Sequence, residues 1–147
     1  MKTEVKSQMV GGVIVAHGQF AEGVLTAAEI VTGELPHLTA VSIGWHDEFE
    51  LVKDEISRAV RRVSSGKGVL ILTDMFGGTP TNLAAMFLGD SVEVITGVNL
   101  PMVLALASQE ADDTLGDVAQ KAVTQGRDGI YLASEVLSLP PRSKKDS

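Results

Sequence analysis

The 147-residue chain contains no cysteine, and its 12 Lys and Arg residues stand against 19 Asp and Glu residues, which gives a formal charge of −7. Without cysteine, the chain cannot have a disulfide framework, a thiolate zinc site, an iron–sulfur cluster or a cysteine nucleophile. The acidic balance argues against nucleic-acid binding, which usually requires a basic patch.

Long hydrophobic segments are also lacking. The longest apolar run, residues 102–107, is far shorter than the ~20 residues that a membrane span needs. The first eight residues include charged Lys2, Glu4 and Lys6 and contain no hydrophobic signal region. The length suits one domain, and an apolar share of 44% with a charged share of 21% is ordinary for a globular protein. We therefore predict a single soluble, acidic, cytoplasmic domain.

Short apolar runs alternate with segments of helical periodicity. The predicted strands are residues 10–16, 38–43, 69–73 and 92–95, and the predicted helices are residues 20–31, 47–63, 79–88, 100–108 and 115–125. Apolar strands that alternate with helices are typical of a doubly wound α/β fold, whose parallel sheet is covered on both faces. In the common strand order 2-1-3-4, strands one and three are neighbours, and ligands bind at their carboxyl ends.

Two residues whose side chains could take part in catalysis follow these neighbouring strands. His17 comes directly after the first predicted strand, and Asp74 comes directly after the third. Because adjacent strands lie ~4.8 Å apart, the two side chains can reach each other. A carboxylate that accepts one ring N–H of a histidine selects its tautomer and leaves the other nitrogen free as a nucleophile.

A glycine pair lies next to this predicted site. Gly77 and Gly78 lead into a helix, for which we predict Thr79 as N-cap and Pro80 as first helical residue. Paired glycines let the backbone approach a ligand closely, and the first amides of the helix would favour an anion there. The combination suggests a phosphoryl group on His17. Taken singly, a loop histidine, a capping aspartate and a tight turn all have ordinary structural explanations.

The other histidines have weaker claims to function. We expect His37 to be an exposed surface residue and His46 to belong to the start of a helix. The three histidines do not have metal-ligand spacing, so we expect no metal site. The chain also lacks a P-loop, a dinucleotide fingerprint and a serine-hydrolase elbow, so we expect no cofactor.

Three segments together resemble a known family, the IIA domains of the mannose-type (mannose/fructose/sorbose) branch of the bacterial phosphoenolpyruvate:sugar phosphotransferase system (PTS). The segments read GVIVAHG at residues 12–18, GVLILTDMFGGTPTN at residues 68–82 and GVNLPM at residues 97–102. The resemblance extends over about residues 10–133. Phe76 departs from the pattern, because family members often have tryptophan there.

The resemblance implies a phosphotransferase activity. A IIA domain takes a phosphoryl group from the phosphohistidine of HPr onto a histidine, which would be His17 through its tele nitrogen. It passes the group to a IIB domain, which phosphorylates sugar that enters through the membrane IIC and IID components. Asp74 would orient and stabilise the ring, and Gly77, Gly78 and Thr79 would contact the phosphate. Specificity lies in the membrane components, so no particular sugar is implied.

The resemblance also implies an antiparallel edge strand, here residues 130–133, which is exchanged within a homodimer. We accordingly predict an N-terminal extension at residues 1–9, a type-4 EIIA domain at residues 10–134 and a disordered tail at residues 135–147. The length leaves no room for a fused IIB module, so the expected acceptor is a separate IIB chain. The acidic surface would face a basic donor patch on HPr, which predicts that transfer depends on salt.

Three alternatives remain open from the sequence. The chain could be a regulatory phosphoacceptor of the same system, with no role in transport. It could be a phosphotransfer subunit of the dihydroxyacetone kinase type, although that group lacks the sequences GGTP, at residues 77–80 here, and GVNLPM, at residues 97–102 here. It could also be an interaction domain with an inactive site, which intact His17 and Asp74 make the weakest alternative.

Overall fold

The computed structural model describes residues 8–44 and 47–138. Its strands are β1 (Gly11–His17), β2 (Leu38–Ile43), β3 (Val69–Thr73) and β4 (Val92–Thr96). Its helices are α1 (Phe20–Thr32), α2 (Phe49–Val63), α3 (Thr79–Ala85), α4 (Leu100–Ala107), α5 (Leu115–Asp128) and α6 (Ala133–Val136).

Within the described residues the strands form one sheet in the order β2-β1-β3-β4, and every neighbouring pair is parallel. This confirms the predicted α/β fold and its strand order. The register places Val15 of β1 opposite Thr73 of β3, and His17 opposite Ile43 of β2. The carboxyl ends of β1 and β3 therefore meet at the same edge of the sheet, where the winding direction changes.

Helices cover both faces of the sheet, and every residue of β3 and all of β1 up to Ala16 are therefore buried. On one face, α1, α4 and α5 pack over a cluster that includes Ile14, Leu72 and Leu106. On the other face, α2 and α3 pack over a cluster that includes Ile71 and Ile56. The alternation of side chains along a strand directs successive residues to opposite faces. His17 and Thr73 consequently point to the face that α2 and α3 cover.

The third helix differs from its prediction at both ends. Gly78, and not Thr79, is the N-cap residue; it makes no side-chain capping bond, and Thr79 is already helical. The helix ends at Ala85 instead of residue 88, and turns involving Met86 and Phe87 follow. The prediction was wrong at Thr79 because Gly78 already has the extended conformation of an N-cap residue, so the helix begins one residue earlier than expected.

The predicted antiparallel edge strand at residues 130–133 is not part of this sheet. Residues 130–132 form neither helix nor strand, and Ala133 begins α6. A strand is stabilised by the neighbour that its backbone pairs with, and residues 130–133 have no such neighbour in the part of the chain that the structure describes. Most of the predicted extension, residues 1–7, and most of the predicted tail, residues 139–147, lie outside the described residues.

Candidate active site

His17 and Asp74 are in direct contact at the carboxyl ends of β1 and β3. The Oδ2 atom of Asp74 lies 2.7 Å from Nδ1 of the His17 ring, and it also accepts the His17 backbone N–H at 3.0 Å. The other carboxylate oxygen, Oδ1, accepts the backbone N–H of Met75 at 2.9 Å. Three hydrogen bonds therefore orient one carboxylate and hold it against the imidazole.

The ionisation state of Asp74 determines which tautomer a neutral His17 adopts. Burial of Asp74 acts to raise the pKa of its carboxyl group, but the hydrogen bonds from His17 and Met75 outweigh it and hold the pKa below the usual range. Asp74 is therefore ionised near neutral pH and can only accept hydrogen bonds. The proton between the two side chains must then reside on Nδ1. In neutral His17, this leaves the lone pair on Nε2.

The His17 ring lies on an open cleft. The cleft has a volume of about 460 Å³ and is lined by His17, Gly18, Ile43, Gly44 and Thr79. The side chain of His17 is 51% exposed, whereas that of Asp74 is only 16% exposed. A large partner can therefore reach the imidazole, while the carboxylate behind it is shielded from water.

The turn at residues 77–79 adjoins the same ring. Gly77 has φ +91°, a left-handed conformation that favours glycine, and Gly78 has φ −92°, which any residue can adopt. A Cβ atom on Gly78 would stand 3.3 Å from Cε1 and 3.8 Å from Nε2 of His17. Gly77 thus permits the turn, and Gly78 leaves free the space beside the imidazole. The structure brings all five predicted site residues to one place.

The third sequence segment, residues 97–102, holds the end of β3. The backbone amides of Gly97 and Val98 both donate to the carbonyl of Thr73, each at 2.9 Å. Asn99 is the N-cap of α4, where its side chain accepts the Met102 amide and donates to the carbonyl of Gly126 at 2.9 Å. The segment, which directly follows β4, therefore fixes the backbone of Thr73, the residue that precedes Asp74.

Sequence reasoning missed the hydroxyl groups beneath the site. Thr73 and Thr81 are buried, and their Oγ1 atoms lie 2.7 Å apart. One signal was available, because Thr73 is the polar residue that ends the otherwise apolar strand VLILT. Nothing in the sequence identified Thr81 as its partner, because the contact depends on how the turn between Asp74 and Gly78 folds back.

His37 is not the exposed surface residue that the sequence suggested. It is half-buried in the turn directly before β2, and its Nε2 atom lies 3.2 Å from the carbonyl oxygen of Leu106. Desolvation by burial lowers the pKa of His37, although the hydrogen bond to Leu106 partly opposes this effect. His37 lies at the opposite end of the sheet from His17 and makes a structural contact. His46 lies outside the described residues.

Residues 8–44 and 47–138 contain no group of three or more His, Cys, Asp or Glu side chains that could hold a metal ion. No helix among them is long and apolar enough to cross a membrane.

Known proteins share both the sequence pattern and the fold. The chain is 32% identical over 121 residues to the PTS system mannose-specific EIIAB component of Escherichia coli strain K12, which covers 80% of this chain and 38% of that protein. It therefore spans less than half the length of that relative. It is also 26% identical over 141 residues to the PTS system fructose-specific EIIA component of Bacillus subtilis strain 168, which covers 95% of this chain and 97% of that protein.

The structural comparison gives the same result. A phosphotransferase system component EIIA from Streptococcus agalactiae superposes with a TM-score of 0.77 and 28% sequence identity, over 86% of this chain and 99% of that one. The family model EIIA-man, described as PTS system fructose IIA component, matches residues 11–123. This match includes β1 to β4 and all three sequence segments, and the chain therefore belongs to the EIIA-man family of PTS IIA components.

Proposed function

We propose that the chain is the phosphocarrier IIA component of a sugar phosphotransferase system, which accepts a phosphoryl group on His17 and passes it to a IIB component. The main support is the 2.7 Å contact between Nδ1 of His17 and Oδ2 of Asp74. In neutral His17 this contact places the lone pair on Nε2 of a half-exposed ring, which lines a cleft of about 460 Å³. Membership of the EIIA-man family supports the same assignment.

In the proposed reaction, the lone pair on Nε2 of His17 attacks the phosphorus atom of a phosphohistidine on HPr. The new N–P bond forms as the donor's N–P bond breaks, and the donor imidazole leaves with that electron pair. Positive charge grows on the His17 ring, where the Asp74 carboxylate stabilises it through Nδ1–H. Catalysis of such transfers depends mostly on positioning and on charge stabilisation, and both follow from this pair.

Gly77, Gly78 and Thr79 are the proposed phosphate contacts. Thr79 is exposed and lines the cleft together with His17, so its hydroxyl can donate to a phosphoryl oxygen. Gly78 has no side chain in the space beside Nε2. The segment of residues 68–82 contains no Lys or Arg. Neutral donors hold a phosphoryl group less tightly than cations do, which suits a carrier that must release it.

The proposed macromolecular partners are HPr as donor and a IIB component as acceptor, with the membrane IIC and IID components involved only indirectly. Met75 and Phe76 directly follow Asp74, and their side chains are 56% and 81% exposed. Exposed aromatic side chains are frequent anchors in protein interfaces. We assign Phe76 to the contact with these partners, in the position where the family often has tryptophan. A cytoplasmic location remains a prediction from the sequence.

We also propose a homodimer in which the segment of residues 130–137 pairs with a second copy. Large apolar side chains in it are mostly exposed: Ile130 75%, Tyr131 69%, Leu132 64%, Val136 56% and Leu137 64%. Exposed apolar segments of this kind mark interaction sites, and β4 is an edge strand that could pair with an added strand. Sedimentation analysis should find a dimer, and Ile130→Glu should shift it to monomer. A monomeric wild-type chain would contradict the proposal.

Radiolabelled phosphoenolpyruvate, enzyme I and HPr test the main proposal. The wild-type chain should gain one label, in a bond that is stable in alkali and labile in acid, as expected for phosphohistidine. His17→Ala should gain none. His37→Gln is the matched control, because His37 lies at the other end of the sheet and should not affect labelling. Addition of a IIB component should remove the label, and stoichiometric labelling of His17→Ala would refute the assignment.

A further inference from the structure

Two buried threonines lie directly beneath the His17–Asp74 pair. Thr73 is the last residue of β3 and is fully buried, and Thr81 is the third residue of α3 and is 8% exposed. Their Oγ1 atoms are 2.7 Å apart. Buried hydroxyls are costly unless they form hydrogen bonds. An apolar residue would satisfy the packing at either position, so this pair calls for an explanation.

The number of available protons determines which of the two threonine hydroxyls donates the hydrogen bond. The hydroxyl of Thr81 donates to the backbone carbonyl of Met75 at 2.7 Å. A hydroxyl has one hydrogen, so Thr81 has none left and must accept the hydrogen bond from Thr73. The hydroxyl of Thr73 therefore donates to Thr81, and Thr81 donates to the carbonyl of Met75. Both hydroxyls and the carbonyl are satisfied in one continuous chain.

This chain of hydrogen bonds restrains the backbone on both sides of Asp74. Thr73 precedes Asp74, and its carbonyl is held by the amides of Gly97 and Val98. Met75 follows Asp74; its carbonyl is held by Thr81, and its amide donates to Asp74 Oδ1. A rotation of either peptide would move the Asp74 carboxylate relative to the His17 ring.

We propose that Thr73 and Thr81 are positioning residues for phosphoryl transfer, whose linked hydroxyls hold Asp74 so that its carboxylate keeps His17 in the Nδ1–H tautomer. The proposal rests on the proposed function of His17 as phosphoryl acceptor. Neither threonine touches the imidazole, so both act through Asp74. Misplacement of a catalytic group by about 1 Å can cost on the order of a hundredfold in rate. Loss of the hydroxyl chain should therefore slow labelling roughly tenfold to a hundredfold.

Thr81→Val tests this, because valine keeps the shape of threonine and removes the hydroxyl. Thr81→Ser is the conservative variant, which keeps the hydroxyl and loses a methyl group. Thr73→Val removes the other end of the same chain and serves if Thr81→Val does not fold. Val118→Ala, in the core on the opposite face of the sheet, controls for stability loss alone. Each variant is assayed below its melting temperature for labelling by phospho-HPr and for the imidazole nitrogen chemical shifts of His17.

We expect Thr81→Val and Thr73→Val to label slowly, and their His17 nitrogen shifts to move toward those of a mixture of tautomers. Thr81→Ser should keep the wild-type shifts and most of the rate, and Val118→Ala should change neither. The double valine variant should be no slower than the slower single variant, because both changes break one chain. Wild-type rates and shifts in both single valine variants would overturn the proposal, as would equal slowing in Val118→Ala. If the wild-type chain gains no label, the proposed function fails instead, while the nitrogen shifts still report on the tautomer.

Discussion

Gly77 and Gly78 allow two effects to be tested separately, the space beside the His17 ring and the conformational stability of the turn. Gly78 has an ordinary backbone conformation, but a Cβ atom there would lie 3.3 Å from Cε1 of His17 and 3.8 Å from Nε2. Gly77 has φ +91°, yet a Cβ atom there would meet nothing within 4 Å. Gly78→Ala should therefore crowd the imidazole without straining the backbone, and Gly77→Ala should strain the backbone without crowding the ring.

The two substitutions are expected to affect different quantities: Gly77→Ala the stability, and Gly78→Ala the labelling rate. A non-glycine residue in the left-handed region costs about 1–2 kcal/mol, so Gly77→Ala should lower stability by about that amount. For a chain of this size each kcal/mol corresponds to a fall in melting temperature of roughly 2–4 °C. Gly78→Ala should keep the stability within about 1 kcal/mol or raise it slightly, since alanine reduces the entropy of the unfolded chain. Its labelling rate should fall roughly a hundredfold, because reacting atoms must approach to about 3–3.5 Å and the methyl group occupies that space.

Thermal unfolding by circular dichroism and label transfer from phospho-HPr measure the two effects on the same samples. Gly78→Ala should melt like the wild type and label slowly, whereas Gly77→Ala should melt earlier and, at a temperature where it is folded, label faster than Gly78→Ala. The reasoning is refuted if Gly78→Ala labels at the wild-type rate, or if both variants lose stability and activity in the same proportion.

Other residues give independent predictions. Asp74→Asn removes the charge that faces Nδ1 of His17; hydrogen bonds to charged groups contribute about 1.5–3 kcal/mol, so labelling should slow roughly tenfold to a hundredfold with little change in melting temperature. Phe76→Ala should raise the KM for phospho-HPr about fivefold or more with a smaller effect on kcat, and an unchanged KM would remove Phe76 from the interface. The Glu110 amide and the Lys121 ammonium lower the pKa of Asp113. The stability that Asp113 contributes should therefore be fully present above the unfolded-chain value of about 3.9 and be lost as pH falls through the lower folded value. The melting-temperature difference between wild type and Asp113→Asn should accordingly shrink below about pH 4, and a constant difference would contradict this.

Much of the fold follows from patterns that depend on few residues at a time. The strands are short apolar runs between turn residues, and their order is one that doubly wound sheets commonly have. The proximity of His17 and Asp74 was predictable for the same reason, because each ends a strand and the strand order makes those ends neighbours. Neither prediction needed knowledge of side-chain packing.

Features that depend on several distant residues could not be predicted in this way. The hydrogen bond from Thr81 to the Met75 carbonyl exists only because the turn at Gly77 and Gly78 brings α3 back beneath β3. The capping assignment failed at Thr79 because serine-like residues are merely preferred at N-caps, and a glycine one position earlier was equally able to end the turn. The resemblance implied a strand at residues 130–133, but a strand also needs a partner, and no strand among residues 8–44 and 47–138 pairs with this segment.

The charge of the site offers a last test of why the chain would act as a carrier. A carrier must bind the phosphoryl group about as well as its donor and acceptor do, and the segment of residues 68–82 has neutral donors in place of Lys and Arg. Thr79 is exposed on the cleft beside His17, so Thr79→Lys can add a cation without disturbing the core. An exposed ion pair is worth about 0.2–1 kcal/mol, which corresponds to at most about a fivefold shift in equilibrium. Thr79→Lys should move the phosphoryl equilibrium with HPr toward this chain and slow onward transfer to the IIB component by a similar factor, while Thr79→Ala should weaken phosphate retention. If Thr79→Lys leaves both the equilibrium and the onward rate unchanged, the lack of a cation has no bearing on release, and the ease of transfer must come from the His17–Asp74 pair alone.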